Sequence, residues 1–228
     1  MSDPLVTRSQ PEGLWQLVPL RLHSWDMQVQ DEWAASIDQL ATPWRQFIWL
    51  TEKPQGIACM LLIIFTLILL SQRAEWPAWR ARWREKCFLV LAFIALAGLS
   101  DLLSNGLKKV VGRLKPHVIW WHPESMPALS FPSSHAFNSS LLFFALLTFW
   151  TSAQRARHQS LLVLFGLFVV IIGLTRVLFN QHYPLDVLGG WGLGGAVGAL
   201  LGRHVLRRAF SGKKNRESLG RGPRGIKP

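Results

Sequence analysis

The sequence is short of tyrosine, cysteine and acidic side chains, and each shortage excludes something. One Tyr stands beside 12 Trp in 228 residues, a bias that suits indole rings seated at a membrane–water boundary. Cys59 and Cys87 are the two cysteines, each within or at the start of an apolar run. They form neither a metal-ligand spacing nor a disulfide framework and read as small buried hydrophobes. Asp and Glu together number 13 against 25 Lys and Arg, for a formal net charge of +12. A nucleic-acid binder could carry such a balance. Here, however, the basic residues flank hydrophobic runs and no soluble binding module is legible, which excludes nucleic acid as a partner. The first residues also lack the charged region and apolar core of a cleaved signal peptide, so insertion is expected to depend on the spans themselves.

What the chain does have is apolar length. Half of its residues are hydrophobic, gathered in stretches at 55–72, 87–107, 134–152, 160–178 and 185–205. Each is close to the ~20 residues needed to cross a ~30 Å hydrocarbon core. Lipid offers no partner to open backbone groups, so these stretches must be helices. The expected fold is an all-α, polytopic transmembrane helix bundle of about five spans. Gly190, Gly194, Gly198 and Gly202 line one face of the last stretch, a spacing that lets a neighbouring helix approach closely inside the bundle.

Three segments complete the expected organisation. Residues 1–54 hold no long apolar run and mix Trp, Leu and Ile with charges at helical spacing, which predicts amphipathic helices lying along the interface. An additional short span near Leu14–Leu22 is interrupted by Arg21 and His23. Residues 55–206 form the membrane core, and residues 207–228 a basic Gly- and Pro-rich tail expected to be disordered. Arg73, Arg80, Arg82, Arg84 and Lys86 precede the second span, and Arg155 and Arg157 lie between the third and fourth. With the basic tail they share one side, which the positive-inside rule assigns to the cytoplasm.

The opposite, outward side collects chemically capable residues from four helix ends. Lys108 and Lys115 follow the second span, and Ser133, Ser134 and His135 open the third. Arg176 closes the fourth, and His182 and Asp186 introduce the fifth. Phosphoryl transfer needs mainly positioning and stabilisation of charge on phosphate oxygens. Lys108, Lys115 and Arg176 supply cations, and Ser133 a hydroxyl. The amides of Ser133 and Ser134 sit at a helix N-terminus suited to an anion. Asp186, four residues after His182, can hold one imidazole nitrogen and free the other for attack, while His135 can protonate a departing oxygen. Lys109 and Arg113 read as headgroup contacts, and Asp101 with Asn105 as a polar brace facing the bundle.

These residues resemble the type 2 phosphatidic acid phosphatase superfamily, whose signature has three parts. Lys108 precedes Lys115-Pro116 by six intervening residues, where the family has Lys, six residues, Arg-Pro. Pro132-Ser133-Ser134-His135 stands for Pro-Ser-Gly-His. Thr175-Arg176, five residues, His182, three residues, Asp186 stands for Ser-Arg, five residues, His, three residues, Asp. The resemblance covers roughly residues 85–205, in order and on one membrane face. It implies a phosphohistidine on His182 held by Asp186, His135 as general acid, and Lys108, Lys115, Ser133, Ser134 and Arg176 as phosphate ligands. It also implies no metal and no cofactor. The departures are Lys115, which loses the bidentate fork of Arg, Ser134, which limits backbone freedom, and Thr175, which keeps a hydroxyl.

The implied substrate is a lipid phosphate in the membrane: a polyprenyl diphosphate, phosphatidic acid, phosphatidylglycerophosphate or lipid A phosphate. The implied place is a bacterial inner membrane with the site on the periplasmic or extracellular side. A lipid phosphotransferase using the same histidine and a non-catalytic phospholipid-binding member are the competing readings. The five apolar runs weigh against a soluble vanadate haloperoxidase.

Overall fold

A computed structural model of the chain describes residues 13–37, 83–116 and 129–207. The candidate span at 55–72, the loop residues Trp120, Trp121, His122 and Glu124, and the basic tail beyond 207 lie outside the described residues. Among the described residues all regular structure is helical, with one antiparallel bridge between Leu114 and Leu129. A 3-10 turn at Gly13–Leu17 precedes α1 (Leu20–Ile37). There follow α2 (Trp83–Val111), α3 (Ser134–Phe149), α4 (Ser152–Arg157), α5 (Gln159–Leu178) and α6 (Pro184–Leu200), and α6 ends in a wide π turn, Leu201–Leu206.

Among the described residues, three helical stretches are long and apolar enough to cross a bilayer: Cys87–Val111, Gln159–Leu178 and Pro184–Leu206. Their outer faces remain apolar and exposed, with Leu91, Ile94 and Leu102 on α2 and Val163, Leu164, Leu167 and Ile171 on α5. That is the pattern expected where lipid, not water, is the solvent. The expected third span is shorter than 134–152, because α3 has 16 residues, about 24 Å at the α-helical rise of ~1.5 Å per residue. Its end has a local cause. Trp150 leaves helical geometry, and Thr151 caps α4 in a reciprocal capping box with Gln154. Arg155 donates to the Leu147 carbonyl and Arg207 to those of Phe149 and Trp150, a favourable pairing of cations with the last turn of a helix.

Helix α3 is the central element of the bundle. Ala136 to Leu142 are all buried, the polar Asn138, Ser139 and Ser140 among them, as expected of a helix surrounded by others on every side. Phe137, Leu141, Leu142 and Leu146 pack with Phe93 and Leu96 of α2 and with Phe165, Val169 and Ile172 of α5 to form the core. On its remaining side, α6 approaches backbone to backbone. A methyl group placed on Gly190 would meet Ala136 and the Ser133 carbonyl, one on Gly194 the backbone of Phe137, and one on Gly198 the backbone of Leu141. At Gly202 it would meet Thr148 and the Ala145 backbone. The glycine stripe is therefore an interior contact, and its register shows that α3 and α6 run parallel. Both begin at the same end of the bundle, where α2 and α5 finish.

The N-terminal helix departs from the reading of a purely interfacial element. Leu22, Trp25 and Trp33 are exposed on α1, but Asp26 and Gln30, four residues apart, are fully buried against the core. Gln30 Nε2 donates to the Val177 carbonyl at 3.0 Å and to Asn180 Oδ1 at 2.7 Å, at the end of α5. Asp26 Oδ1 accepts from the Leu185 amide at 2.8 Å, at the start of α6. Helix α1 thus grips both sides of the loop that joins α5 to α6.

Candidate active site

Helix α2 ends at Gly112, whose φ of 71° is the left-handed conformation that glycine adopts without steric cost. The Gly112 amide still donates to the Lys108 carbonyl at 2.9 Å, so the turn is tight and sends Arg113 inward. Ser130 then donates its amide to the Arg113 carbonyl at 2.6 Å, and Leu114 bridges to Leu129. These contacts align 113–115 beside 129–130 and lay both segments across the start of α6.

His182 and Asp186 are 3% and 0% exposed. His182 lies in the loop before α6, and Asp186 is the third residue of that helix, where it accepts from the Tyr183 amide at 2.9 Å and so caps its own helix. The same oxygen, Oδ2, lies 3.5 Å from His182 Nδ1 and accepts from the Ser130 hydroxyl. Ser130 Oγ is itself 3.2 Å from His182 Nδ1. With the serine proton directed to Asp186, an Nδ1 proton on His182 has acceptors in Ser130 Oγ and Asp186 Oδ2, which leaves the other ring nitrogen with a free lone pair. Burial pushes His182 down to about 4, while the Asp186 hydrogen bond and charge pull it upward. The imidazole is therefore neutral at pH 7.

The remaining predicted residues surround this pair. His135, in the first turn of α3, lies within electrostatic reach of His182, Arg176, Lys108 and Lys115, and both lysines also act on His182. Arg176 is buried at the end of α5, with Nη1 donating to Gln181 Oε1 at 3.1 Å and Nη2 to Thr175 Oγ1 at 3.4 Å. Ser133 Oγ is buried and has no hydrogen-bond partner among the described residues. Its amide, expected to face an anion, instead donates to the Asp186 carbonyl at 3.0 Å. Ser134 begins α3 in helical geometry, and its hydroxyl accepts from Ser104 at 3.2 Å. Asn180 is the non-glycine residue with positive φ among the described residues, so the serine at 134 carries no backbone penalty.

Two readings of polar residues change. Arg113, expected among headgroups, is 1% exposed. Its Nη1 donates to Asp186 Oδ1 at 2.7 Å and its Nη2 to Asp26 Oδ2. Its guanidinium carbon lies 3.9 Å from the Trp15 ring centre and 3.8 Å from that of Tyr183, a cation–π arrangement with both rings. Burial raises the Asp26 carboxyl, against the lowering effect of Arg113 and the Leu185 amide. Asp101 and Asn105 bond to each other at 3.2 Å on an exposed face of α2 and do not face the bundle, although Asp101 lies within electrostatic reach of Lys108. Ser130 and Asp26 were not singled out from the sequence, and Arg113 was given a place among headgroups instead of beside Asp186. The glycine at 112 is the one local signal of a turn before Arg113, and nothing in the polar pattern of α1 distinguishes Asp26 from its exposed neighbours.

A family model described as the PAP2 superfamily matches residues 87–209, more than half of the chain. The chain belongs to the PAP2 superfamily. A phosphatidylglycerophosphatase B of Bacillus subtilis (strain 168) is 28% identical over 150 residues, covering 64% of this chain and 70% of that relative. A lipid A 1-phosphatase of Rhizobium etli is 35% identical over 106 residues, 42% of this chain and 41% of that relative, so the chain spans less than half of its length. The crystal structure of a transmembrane PAP2 type phosphatidylglycerolphosphate phosphatase from Bacillus subtilis has a similar fold, with a TM-score of 0.58 and 21% identity. That match covers 87% of this chain and 90% of the other. The PAP2 match contains every residue of the three-part motif, whereas α1, with Asp26 and Gln30, lies outside it.

Proposed function

We propose that this PAP2 protein is an integral-membrane lipid phosphatase that works through a phosphohistidine on His182. The observation that carries the proposal is the buried contact of His182 Nδ1 with Asp186 Oδ2 at 3.5 Å and Ser130 Oγ at 3.2 Å, which supports a neutral imidazole with its other nitrogen available. In the first step that nitrogen attacks phosphorus, a P–N bond forms, and the P–O bond to the lipid breaks. His135 gives its proton to the departing oxygen. In the second step water attacks phosphorus, passes a proton to His135, and the P–N bond breaks to release inorganic phosphate. Lys108, Lys115 and Arg176 balance the oxygen charge, with Ser133 and Ser134 hydroxyls as further ligands. The unpartnered, buried Ser133 hydroxyl favours this assignment, since buried polar atoms in proteins are rarely left unsatisfied.

The substrate class is a lipid bearing a terminal phosphate or diphosphate at headgroup depth, because the residues gather at helix ends. The named activities of the phosphatidylglycerophosphatase and lipid A phosphatase relatives belong to the same class. The basic segments on the opposite side favour an outward-facing site, periplasmic or extracellular, in a bacterial inner membrane. The test is phosphate release from a panel of lipid phosphates by the purified protein in detergent, run beside His182→Ala and His135→Ala. Both variants are expected to lose at least about a hundredfold in turnover. Near-normal turnover in either would remove the role assigned to that histidine.

A further inference from the structure

Asp186 has two oxygens with separate partners. Oδ2 faces His182, Ser130 and the Tyr183 amide, and Oδ1 receives Arg113 Nη1 at 2.7 Å. A carboxylate held on one oxygen alone can still swing about its last bond more widely than one held on both. Held on both, it keeps Oδ2 directed at the imidazole. The orientation of Asp186 thus depends on where the Arg113 guanidinium sits, and that is decided in part outside the PAP2 match. Asp26 of α1 takes Nη2, the Trp15 and Tyr183 rings cover the guanidinium, and Asp26 also accepts from Leu185, the residue before Asp186. Asp26, Arg113 and Asp186 are all essentially buried, where such a pairing is little weakened by solvent. Gln30, one turn further along α1, fixes the end of α5 on the other side of His182.

We propose that Arg113, held by Asp26 of the N-terminal helix, is a positioning residue that orients Asp186 toward His182, making α1 an integral part of the working site. The idea rests on the phosphatase reading for its kinetic consequence but not for its structural one. Arg113 touches no reacting atom. Its effect passes through Asp186 to the protonation pattern of the imidazole, and so to turnover more than to substrate affinity.

The experiment uses the full chain and the variants Asp26→Asn, Arg113→Lys and Arg113→Gln, with Asp31→Asn as an exposed-carboxylate control on the same helix. In the first two, kcat is expected to fall roughly ten- to hundredfold, the scale of a misplaced catalytic group, with KM changed less than about twofold. Asp31→Asn should match the parent. The second measurement needs no turnover: ¹⁵N NMR of labelled histidine, with the His182 signals assigned by their loss in His182→Ala. The parent should show a neutral imidazole protonated at Nδ1, and Arg113→Gln a mixture of the two tautomers. If folded Asp26→Asn and Arg113→Lys kept parental kcat, or folded Arg113→Gln kept the single Nδ1–H form, the proposal would be overturned. Should Arg113→Gln fail to fold, Asp26→Asn decides alone, since Asn keeps the size of Asp and an acceptor for Leu185 while removing the second carboxylate. A parent inert toward every lipid phosphate would count against the phosphatase reading, and the NMR result would still decide the role of Arg113.

Discussion

Burial pushes the His182 imidazole from 6.5 down to about 4, with the Asp186 hydrogen bond opposing that shift. Its folded pKa lies below its unfolded value, so its effect on stability is absent above about pH 6.5. As pH falls from there toward 4, the unfolded chain takes up a proton that the folded site resists, and stability declines. The same group sets a limit on activity, because a protonated imidazole cannot attack phosphorus. In the parent protein the acidic limb of kcat/KM is expected near pH 4. A limb near the ordinary histidine value of about 6.5 would show that the imidazole is solvated and not enclosed with Asp186. At position 134 the replacement of glycine by serine is structurally mild, since the residue is helical and its hydroxyl engages Ser104.

Helices α3 and α6 form the element pair on which the site is assembled, and their close approach rests on glycine. Gly194→Ala and Gly198→Ala would each drive a methyl group into opposing backbone, at Phe137 and Leu141. The expected loss is about 1–3 kcal/mol of stability for each, the range for overpacking a tight contact. Gly192→Ala, with nothing within 4 Å of the added atom, should be neutral or slightly stabilising. Thermal unfolding in detergent compares the three, and a Gly194→Ala protein as stable as Gly192→Ala would show that the two backbones are not in contact. The glycine spacing was legible in the sequence because a small residue every fourth position defines one helix face. The role of α1 was not. Its buried Asp26 and Gln30 are polar residues on a helix with polar, exposed neighbours, and only the facing Arg113, Leu185 and Asn180 give them meaning.

At the scale of the whole molecule, the sequence carried the helical class, the order of the apolar segments from 87 onward and the residues that gather at one end. It did so because hydrophobic length and a three-part motif survive without coordinates. Long-range pairings such as Asp26 with Arg113 did not, since they join segments 87 residues apart with no local pattern. The orientation drawn from loop charge has its own test. In a background lacking Cys59 and Cys87, Lys109→Cys should react with an impermeant maleimide on intact cells and Ser152→Cys only after lysis; the reverse pattern would invert the topology. The central claim, that the reaction passes through His182, is tested most directly by trapping the intermediate. The protein is mixed with a ³²P-labelled lipid phosphate, quenched rapidly in base, and mapped by peptide mass spectrometry. The account predicts an acid-labile, base-stable phosphoryl group on His182 that is absent from His182→Ala, whereas turnover with label on any other residue, or with no labelled protein at all, would contradict it.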